Sequence, residues 1–417
     1  MTSQTRRRRE GKSPMPRQSV GFGRRSLLAK AAAAPALPIA LASAKAANAA
    51  SGVNPDAQGV AVAQDMLPAG QMEVIAALPD PGPSGIAVTP DGRVFISLPR
   101  HAQDHDQPTL NELRDGRLTA FPDAETTRPS ALPPEEKLIS LHGLTIDTRG
   151  RLWGIDDGKI AGKPLQPDAA KVVGFDPASG RRIASLVLKS PALLPDSHMN
   201  DLRVDLTHGA QGVVYVADSS FGTSPALVVI DIATGRQRRV LSGHPSIVAE
   251  KGFVAVLEGK PRRYQAQHAQ FPTGGVDSIT LSTDSAMLYY SPLTSRRLYR
   301  LPTALLSNFD ATEEQLAAAV VDLGEKVMTD GLATDPWNRI YLTAGEHDAI
   351  MRRNVDGSID VIARDRRIVW PDGIFATDRH VYCVLGQWNR LPAMNGGHNL
   401  RQPPYLIVRC PITPPVG

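Results

Sequence analysis

One unit, written six times, constrains this chain more than any other feature. A polar residue leads into an alternating apolar strand, a turn follows, and a second apolar strand runs back. The copies read S-G-I-A-V-T-P-D-G-R-V-F-I-S from Ser84, H-G-L-T-I-D-T-R-G-R-L-W-G-I-D from His142, and N-D-L-R-V-D-L-T-H-G-A-Q-G-V-V-Y-V-A-D-S from Asn200. They continue as D-S-I-T-L-S-T-D-S-A-M-L-Y-Y-S from Asp277, D-G-L-A-T-D-P-W-N-R-I-Y-L-T from Asp330 and D-G-I-F-A-T-D-R-H-V-Y-C-V-L from Asp372. Alternation of period two marks half-buried strands, and two such runs about a turn make a hairpin. The starts lie 58, 58, 77, 53 and 42 residues apart, a period that indicates a β-propeller, here with six blades.

The outer half of the blades carries its own turn. F-D-P-A-S-G-R (175–181), I-D-I-A-T-G-R (230–236), N-V-D-G-S (354–358) and R-D-G-R (114–117) each place Asp before Gly between apolar runs. Gly supplies the positive φ of a tight hairpin and Asp bonds back to the local backbone. Residues 72–78 read as a strand with no local partner, while the sixth blade runs out of chain one strand short. Pairing the two closes the ring and leaves an all-β, six-bladed propeller over 72–417. In the fourth blade, Asp310 or Thr312 is placed to cap a short helix from about 313 to 320, an insertion on the rim. A polar loop between Glu258 and Gly274 accounts for the longest spacing and is placed to cover a channel mouth.

The first 49 residues stand apart. Arginines at 6–9 and the pair Arg24-Arg25 precede an Ala-rich apolar run, and Ala47-Asn48-Ala49 offers a small-residue cleavage site. G-R-R-S-L-L-A-K (23–30) resembles a twin-arginine export signal. The run holds Pro35 and Pro38 and falls short of a membrane span. A cleaved signal over 1–49, a linker over 50–71 and no stable membrane insertion are therefore expected. The product would be periplasmic or extracellular, with the twin-arginine machinery as the precursor's partner. Of 46 Lys and Arg and 42 Asp and Glu, ten bases and one acid lie within residues 1–50. The remainder holds 36 bases against 41 acids, a balance of −5, which gives nucleic-acid binding no electrostatic support. The two cysteines, Cys383 and Cys410, fall in apolar runs of the last blade and read as buried thiols.

The first strand of each propeller blade lines the central channel. Ser84, His142, Asn200, Asp277, Asp330 and Asp372 occupy equivalent positions at the start of these strands, so rotation brings them together. Converging carboxylates repel unless one is protonated or a cation lies between them. Asn200, Asp277, Asp330 and Asp372 form an oxygen donor set suited to Ca²⁺ or Mg²⁺. Turn formation by Asp-Gly and Asn-Asp pairs is the plainer alternative. His198 and His208 flank the third hairpin, where a surface position is the ordinary expectation and proton transfer the alternative. Trp370, before Pro371-Asp372, reads as a wall of the channel mouth or as core.

These stretches also carry a family resemblance. G-L-T-I-D-T-R-G-R-L-W-G-I-D-D-G (143–158) resembles the second blade of the yellow/major royal jelly proteins, and N-D-L-R-V-D with V-V-Y-V-A-D-S-S and A-L-V-V-I-D-I-A-T-G-R resembles the third. L-Y-Y-S-P-L-T-S-R-R-L-Y-R-L-P-T-A-L-L (288–306) is similar to the fourth, and W-P-D-G-I-F with V-Y-C-V-L-G-Q-W-N-R-L-P (370–392) to the last. The likeness spans about 72–411 and implies the six-bladed fold. That family ranges from dopachrome-converting proteins to amine binders, so it implies a small-molecule ligand without a shared catalytic set. The related senescence-marker/gluconolactonase proteins hold one divalent metal through a Glu, an Asn and an Asp. Their third-blade motif is similar to the stretch from Asn200 and Asp201 to Asp205, and their fifth-blade Asp-Gly to Asp330-Gly331. Ser84 stands where they carry the Glu, and Asp372 or His142 is placed to supply the missing ligand.

Two functions are thus expected. One is a metal-dependent enzyme acting on a small cyclic or lactone-like molecule, a gluconolactonase-like hydrolase or a dopachrome tautomerase-like isomerase. It would use Asp330 as base with His142 as second catalytic group, and Ser84, Asn200, Asp201, His198 and Trp370 as substrate contacts. The alternative is a binding propeller for an amine or aromatic molecule, with no chemistry.

Overall fold

The computed structural model describes residues 68–220, 224–263 and 274–415. Six antiparallel sheets follow one another in chain order as the blades of a propeller. Blade one holds Ile86–Val88, Val94–Ser97, Leu110–Arg114 and Arg117–Ala120; blade two Leu141–Ile146, Leu152–Asp156, Lys171–Phe175 and Arg182–Val187. Blade three holds Met199–Asp205, Val213–Asp218, Ala226–Asp231 and Gln237–Val240; blade four Val276–Leu281, Met287–Pro292, Arg297–Pro302 and Val321–Glu325. Blade five is built from Thr329–Thr334, Ile340–Ala344, Ala349–Arg353 and Ile359–Arg364. Blade six takes Pro371–Ala376, His380–Leu385 and Tyr405–Pro411 from the end of the chain and Glu73–Leu78 from its start, with Glu73 opposite Arg409 and Leu78 opposite Tyr405.

The blades cohere because their inner strands bury apolar residues on both faces of each sheet. Six apolar clusters fill the six junctions between neighbouring blades. The junction of blades six and one joins Leu78, Tyr382, Val384 and Tyr405 to Ile86, Val88 and Ile96, which locks the two ends of the chain into one core. Cys383 and Cys410 are free and buried in the junction of blades five and six. The helix on blade four runs Glu313–Ala319 and is capped by Thr312, whose side chain accepts from Gln315 N while Gln315 Oε1 accepts from Thr312 N. It precedes the fourth strand of that blade, so it is an insertion on the rim.

Two sequence expectations are adjusted. Ala69–Gly70, assigned to the linker, pairs with Ala363 and Arg364 as a fifth strand on the edge of blade five. Part of the loop between Glu258 and Gly274 is a hairpin, Ala255–Leu257 with Lys260–Arg262, tied to blade six where Asn389 Nδ2 donates to Glu258 Oε2 at 2.7 Å. The rest of the expected covering loop (264–273) and the export signal lie outside the described residues. Among those described, no helix is long and apolar enough to cross a membrane.

Candidate functional site

The inner strands begin with a defect. In blades two to six the pairing of the first and second strands slips within the opening residues, between Leu141 and Leu144, Met199 and Asp201, Val276 and Ser278, Thr329 and Leu332, and Pro371 and Ile374. A bulge there frees one residue from the ladder and re-aims its side chain. The freed positions include His142, Asn200, Asp277, Asp330 and Asp372. The amides exposed by this geometry are met by hydroxyls of the second strand. Thr343 Oγ1 accepts from Asp330 N and Gly331 N at 3.0 and 2.8 Å, and Ser97 Oγ accepts from Gly85 N at 2.7 Å. Glycine follows the polar residue because the strands crowd at the axis. A Cβ on Gly331 would strike the Asp372 carbonyl, and one on Gly373 the Ser84 carbonyl.

The bulges gather four of the expected residues into one buried group. Asn200 Nδ2 donates to Asp277 Oδ1, and the other Asp277 oxygen is buried with no hydrogen-bond partner. Trp370 Nε1 donates to Asp330 Oδ2 at 2.5 Å and Trp388 Nε1 to Asp372 Oδ2 at 2.6 Å. Among the described residues no Lys or Arg is paired with Asp277, Asp330 or Asp372. Burial, reinforced by the Asp330 carboxylate, holds the Asp277 carboxyl well above the usual range. Burial and then Asp372 push Asp330 up to about 7, and burial pushes Asp372 up to about 8. Ser84, Asn200, Asp201, Asp330 and Asp372 border a cavity of about 20 Å³, room for a water or a bare cation and no more.

Asp201 is also at the axis, but as a partner of Arg203, whose Nη1 donates to Asp201 Oδ1 at 2.7 Å. Arg203 Nη2 reaches across to the Leu332 carbonyl at 2.6 Å, so this side chain bars the channel between blades three and five. Below the bar lies a separate cavity of about 190 Å³, lined by Thr145, Thr280, Ser282 and Thr334.

A second cluster occupies the other half of the mouth. His142 stands with His198 and with His101, a residue the sequence reading passed over, at ring-centroid distances of 4.3 Å (His101–His142), 4.7 Å (His142–His198) and 4.8 Å (His101–His198). His198 is 3 % exposed, which overturns its expected surface position. Asp218 Oδ1 accepts from its backbone N at 2.8 Å, and Asp157 Oδ2 bonds its Nδ1 at 3.2 Å. His208 is partly exposed and bonds Asp205 at 2.8 Å, remote from this group. Burial holds His101 and His142 well below the usual imidazole range and His198 down to about 3, so all three are neutral. The ring of Trp388 lies 5.8 Å from His101 and its N–H is on Asp372, which joins the two clusters.

His101, Asp157 and Trp388 share a signal that was available. Each follows the second strand of its blade by a few residues. Antiparallel pairing places the end of the second strand at the same mouth as the start of the first, so those positions also converge.

Comparison with solved structures finds similar folds at low identity. A virginiamycin B lyase from Staphylococcus aureus is 16 % identical, with 83 % of this chain and 100 % of that one aligned and a TM-score of 0.44. A calcium-binding regucalcin from Agrobacterium tumefaciens is 16 % identical over 82 % and 93 %, with a TM-score of 0.48. A gluconolactonase from Xanthomonas campestris is 12 % identical over 84 % and 92 %, with a TM-score of 0.47. No curated protein matches the sequence. The family model for major royal jelly proteins matches residues 139–410, from the entry to blade two through the last strand of blade six. With nearly two thirds of its length covered by that model, the chain belongs to the major royal jelly protein family.

Proposed function

We propose that this propeller is an exported, metal-dependent enzyme acting on a small cyclic or lactone-like molecule at the channel mouth, with Ca²⁺ or Mg²⁺ held by Asn200, Asp277, Asp330 and Asp372. The reading rests on one observation: Asn200, Asp330 and Asp372 border a cation-sized cavity, Asp277 is bonded to Asn200 beside it, and the basic side chain on the cavity wall, Arg203, is paired with Asp201 and with none of the three carboxyl groups. The donor set fits a hard cation, being all oxygen if the Asn200 amide turns its carbonyl inward. The unpartnered Asp277 oxygen is the atom such an ion would satisfy. A bound divalent cation supplies Lewis-acid polarisation of a carbonyl oxygen.

The chain's own residues supply proton transfer and orientation. Asp330 titrates near neutrality, the condition under which a carboxylate both takes and releases a proton efficiently. Trp370 Nε1 donates to its Oδ2 and so fixes the carboxyl group at the cavity wall. His142, held neutral by burial, is placed to orient the substrate as a hydrogen-bond partner. The cavity admits no substrate, so a reacting molecule lies above it, against the indoles and imidazoles, with Ser84, Asn200, Asp201 and His198 at its border.

The test uses tag-free protein purified without chelator. Elemental analysis should find about one Ca²⁺ or Mg²⁺ per chain, and hydrolysis of glucono-δ-lactone, followed by proton release, should stop on chelation and return with the ion. Asp330→Asn should lower turnover by about 100-fold or more. Protein that is metal-free, indifferent to chelator and inert to lactones would support the second reading, a binding site for an aromatic amine. That reading draws on the two indoles set beside carboxylates, a combination that recognises a cation on a flat ring.

A further inference from the structure

The carboxylate group leaves the imidazoles unexplained. We infer that His101, His142 and His198 form a second metal site, selective for a borderline transition cation of the Zn²⁺ class and independent of the carboxylate site. Their ligand nitrogens all lie within 4.8 Å of one another. Nitrogens bound tetrahedrally to zinc at 2.0–2.1 Å are separated by about 3.3 Å. Binding therefore requires the rings to turn inward, and His101, the least buried of the three, has the most room to do so.

Packing alone does not account for the arrangement. His142 is 2 % exposed, and neither of its ring nitrogens has a hydrogen-bond partner; His101 Nδ1 is likewise buried and unpartnered. Buried polar atoms are satisfied in the great majority of cases, and leaving a nitrogen bare costs about 1–3 kcal/mol. A cation at the centre of the three rings satisfies them together. His198 already shows the preparation of a metal ligand: Asp157 Oδ2 bonds its Nδ1, which places the proton there and the lone pair on Nε2. Asp157 also lies 3.5 Å from His142 Nε2, outside hydrogen-bond geometry, and places a carboxyl group beside the ion. The opposing charge is Lys159, whose ammonium is held by the Ser197 carbonyl.

The donor type sets the selectivity. Imidazole nitrogens favour Zn²⁺, Cu²⁺, Ni²⁺ and Co²⁺, whereas carboxylate and amide oxygens favour Ca²⁺ and Mg²⁺. The two halves of the mouth would therefore load different ions, and three protein ligands leave a fourth position of the nitrogen-bound metal open.

The experiment titrates tag-free, chelator-treated full-length protein with Zn²⁺ by calorimetry and with Co²⁺ by its visible absorption. One equivalent should bind, with the intense visible bands of a four-coordinate cobalt–nitrogen centre, and excess Ca²⁺ should not compete. His142→Ala and His101→Ala should each weaken Zn²⁺ by at least 100-fold, and Asp157→Asn by about 10- to 100-fold. His101 sits on a half-buried loop, so its variant tests the site even if His142→Ala melts early. Asp277→Asn should leave Zn²⁺ affinity unchanged. Wild-type protein that takes up no Zn²⁺, or binding lost in Asp277→Asn but retained in His101→Ala, would overturn the assignment.

Discussion

Replacing Asp330 by Asn should reverse the pH dependence that this residue imposes on the metal-free protein. Its carboxyl titrates near 7 in the folded chain, against 3.8 for an unperturbed aspartate. Between those values the native state holds a proton that the unfolded chain has lost. The stability conferred by the neutral acid is fully present below about pH 3.8 and is lost as pH rises through 7. The difference corresponds to about 4 kcal/mol, since each pH unit of separation is about 1.4 kcal/mol. Asn cannot ionise and still accepts the Trp370 N–H through its amide oxygen. In chelator, the variant should match the wild type near pH 4 and exceed it by about 4 kcal/mol near pH 8.

At about 2 °C per kcal/mol for a fold of this size, that is a rise of about 8 °C in Tm at the alkaline end. Melts followed by circular dichroism in EDTA, from about pH 4 to 8.5, read the effect directly. Added Ca²⁺ or Mg²⁺ should raise the wild type at pH 8 and leave Asp330→Asn unmoved, because the ion replaces the proton as the neutralising charge. Parallel curves for the two proteins across the whole range would refute the reasoning, as would a variant destabilised at pH 8.

Three further outcomes are expected. Glu112 receives both Arg93 (2.7 and 2.8 Å) and Arg114 and is held down to about 2, so its contribution is present above pH 4.5 and fades as pH falls through 2. Allowing for the exposure of Arg114, Glu112→Gln should cost about 2 kcal/mol at pH 7 and less at pH 3, read from urea midpoints. Deleting residues 51–65 should leave the melt unchanged, whereas deletion through residue 80 removes the Glu73–Leu78 strand and the Tyr405 hydroxyl's 3.0 Å bond to Asp80, and should abolish cooperative melting. Replacing Arg24-Arg25 by Lys-Lys should leave folded precursor in the cytoplasm; undiminished export, measured by fractionation, would exclude the twin-arginine route.

The blades were readable because the information is local and repeated. Alternation in V-V-Y-V-A and L-V-V-I-D states which residues face a neighbouring blade, and Asp-Gly turns such as R-D-G-R state where a hairpin closes. The polar residue before each inner strand was readable for the same reason, since rotation maps one repeat onto the next. Asp277, Asp330 and Asp372 therefore came together as expected. His101, Asp157 and Trp388 lie in loops of unequal length with no common motif, so only the topology reveals that they return to the same mouth. Arg203 was hidden differently. It occupies an ordinary polar position of an alternating strand, and nothing local says that the alternation points it across a channel rather than into solvent. His198 looked exposed because it precedes a strand, but the end of the second strand, through Asp218, pulls it inward.

The division of the mouth follows from the same geometry. A propeller with identical blades would present one chemistry all round the axis. Here the first three blades contribute His101, His142 and His198, and the third to sixth contribute Asn200, Asp277, Asp330 and Asp372. The imidazoles are neutral because burial strips their protons, and the carboxyls retain theirs near neutral pH because burial disfavours their charge. One side thus offers lone pairs on nitrogen, and the other offers protons on oxygen. Trp388 bridges them, with its ring near His101 and its N–H on Asp372. A molecule lying across the axis would meet hydrogen-bond acceptors at one end and hydrogen-bond donors at the other. Loading either half with a cation would reverse its character, turning the nitrogens into a Lewis acid or freeing the carboxylates of their protons. On the proposed reading, the ion content of the mouth would set which groups there release protons and which accept them.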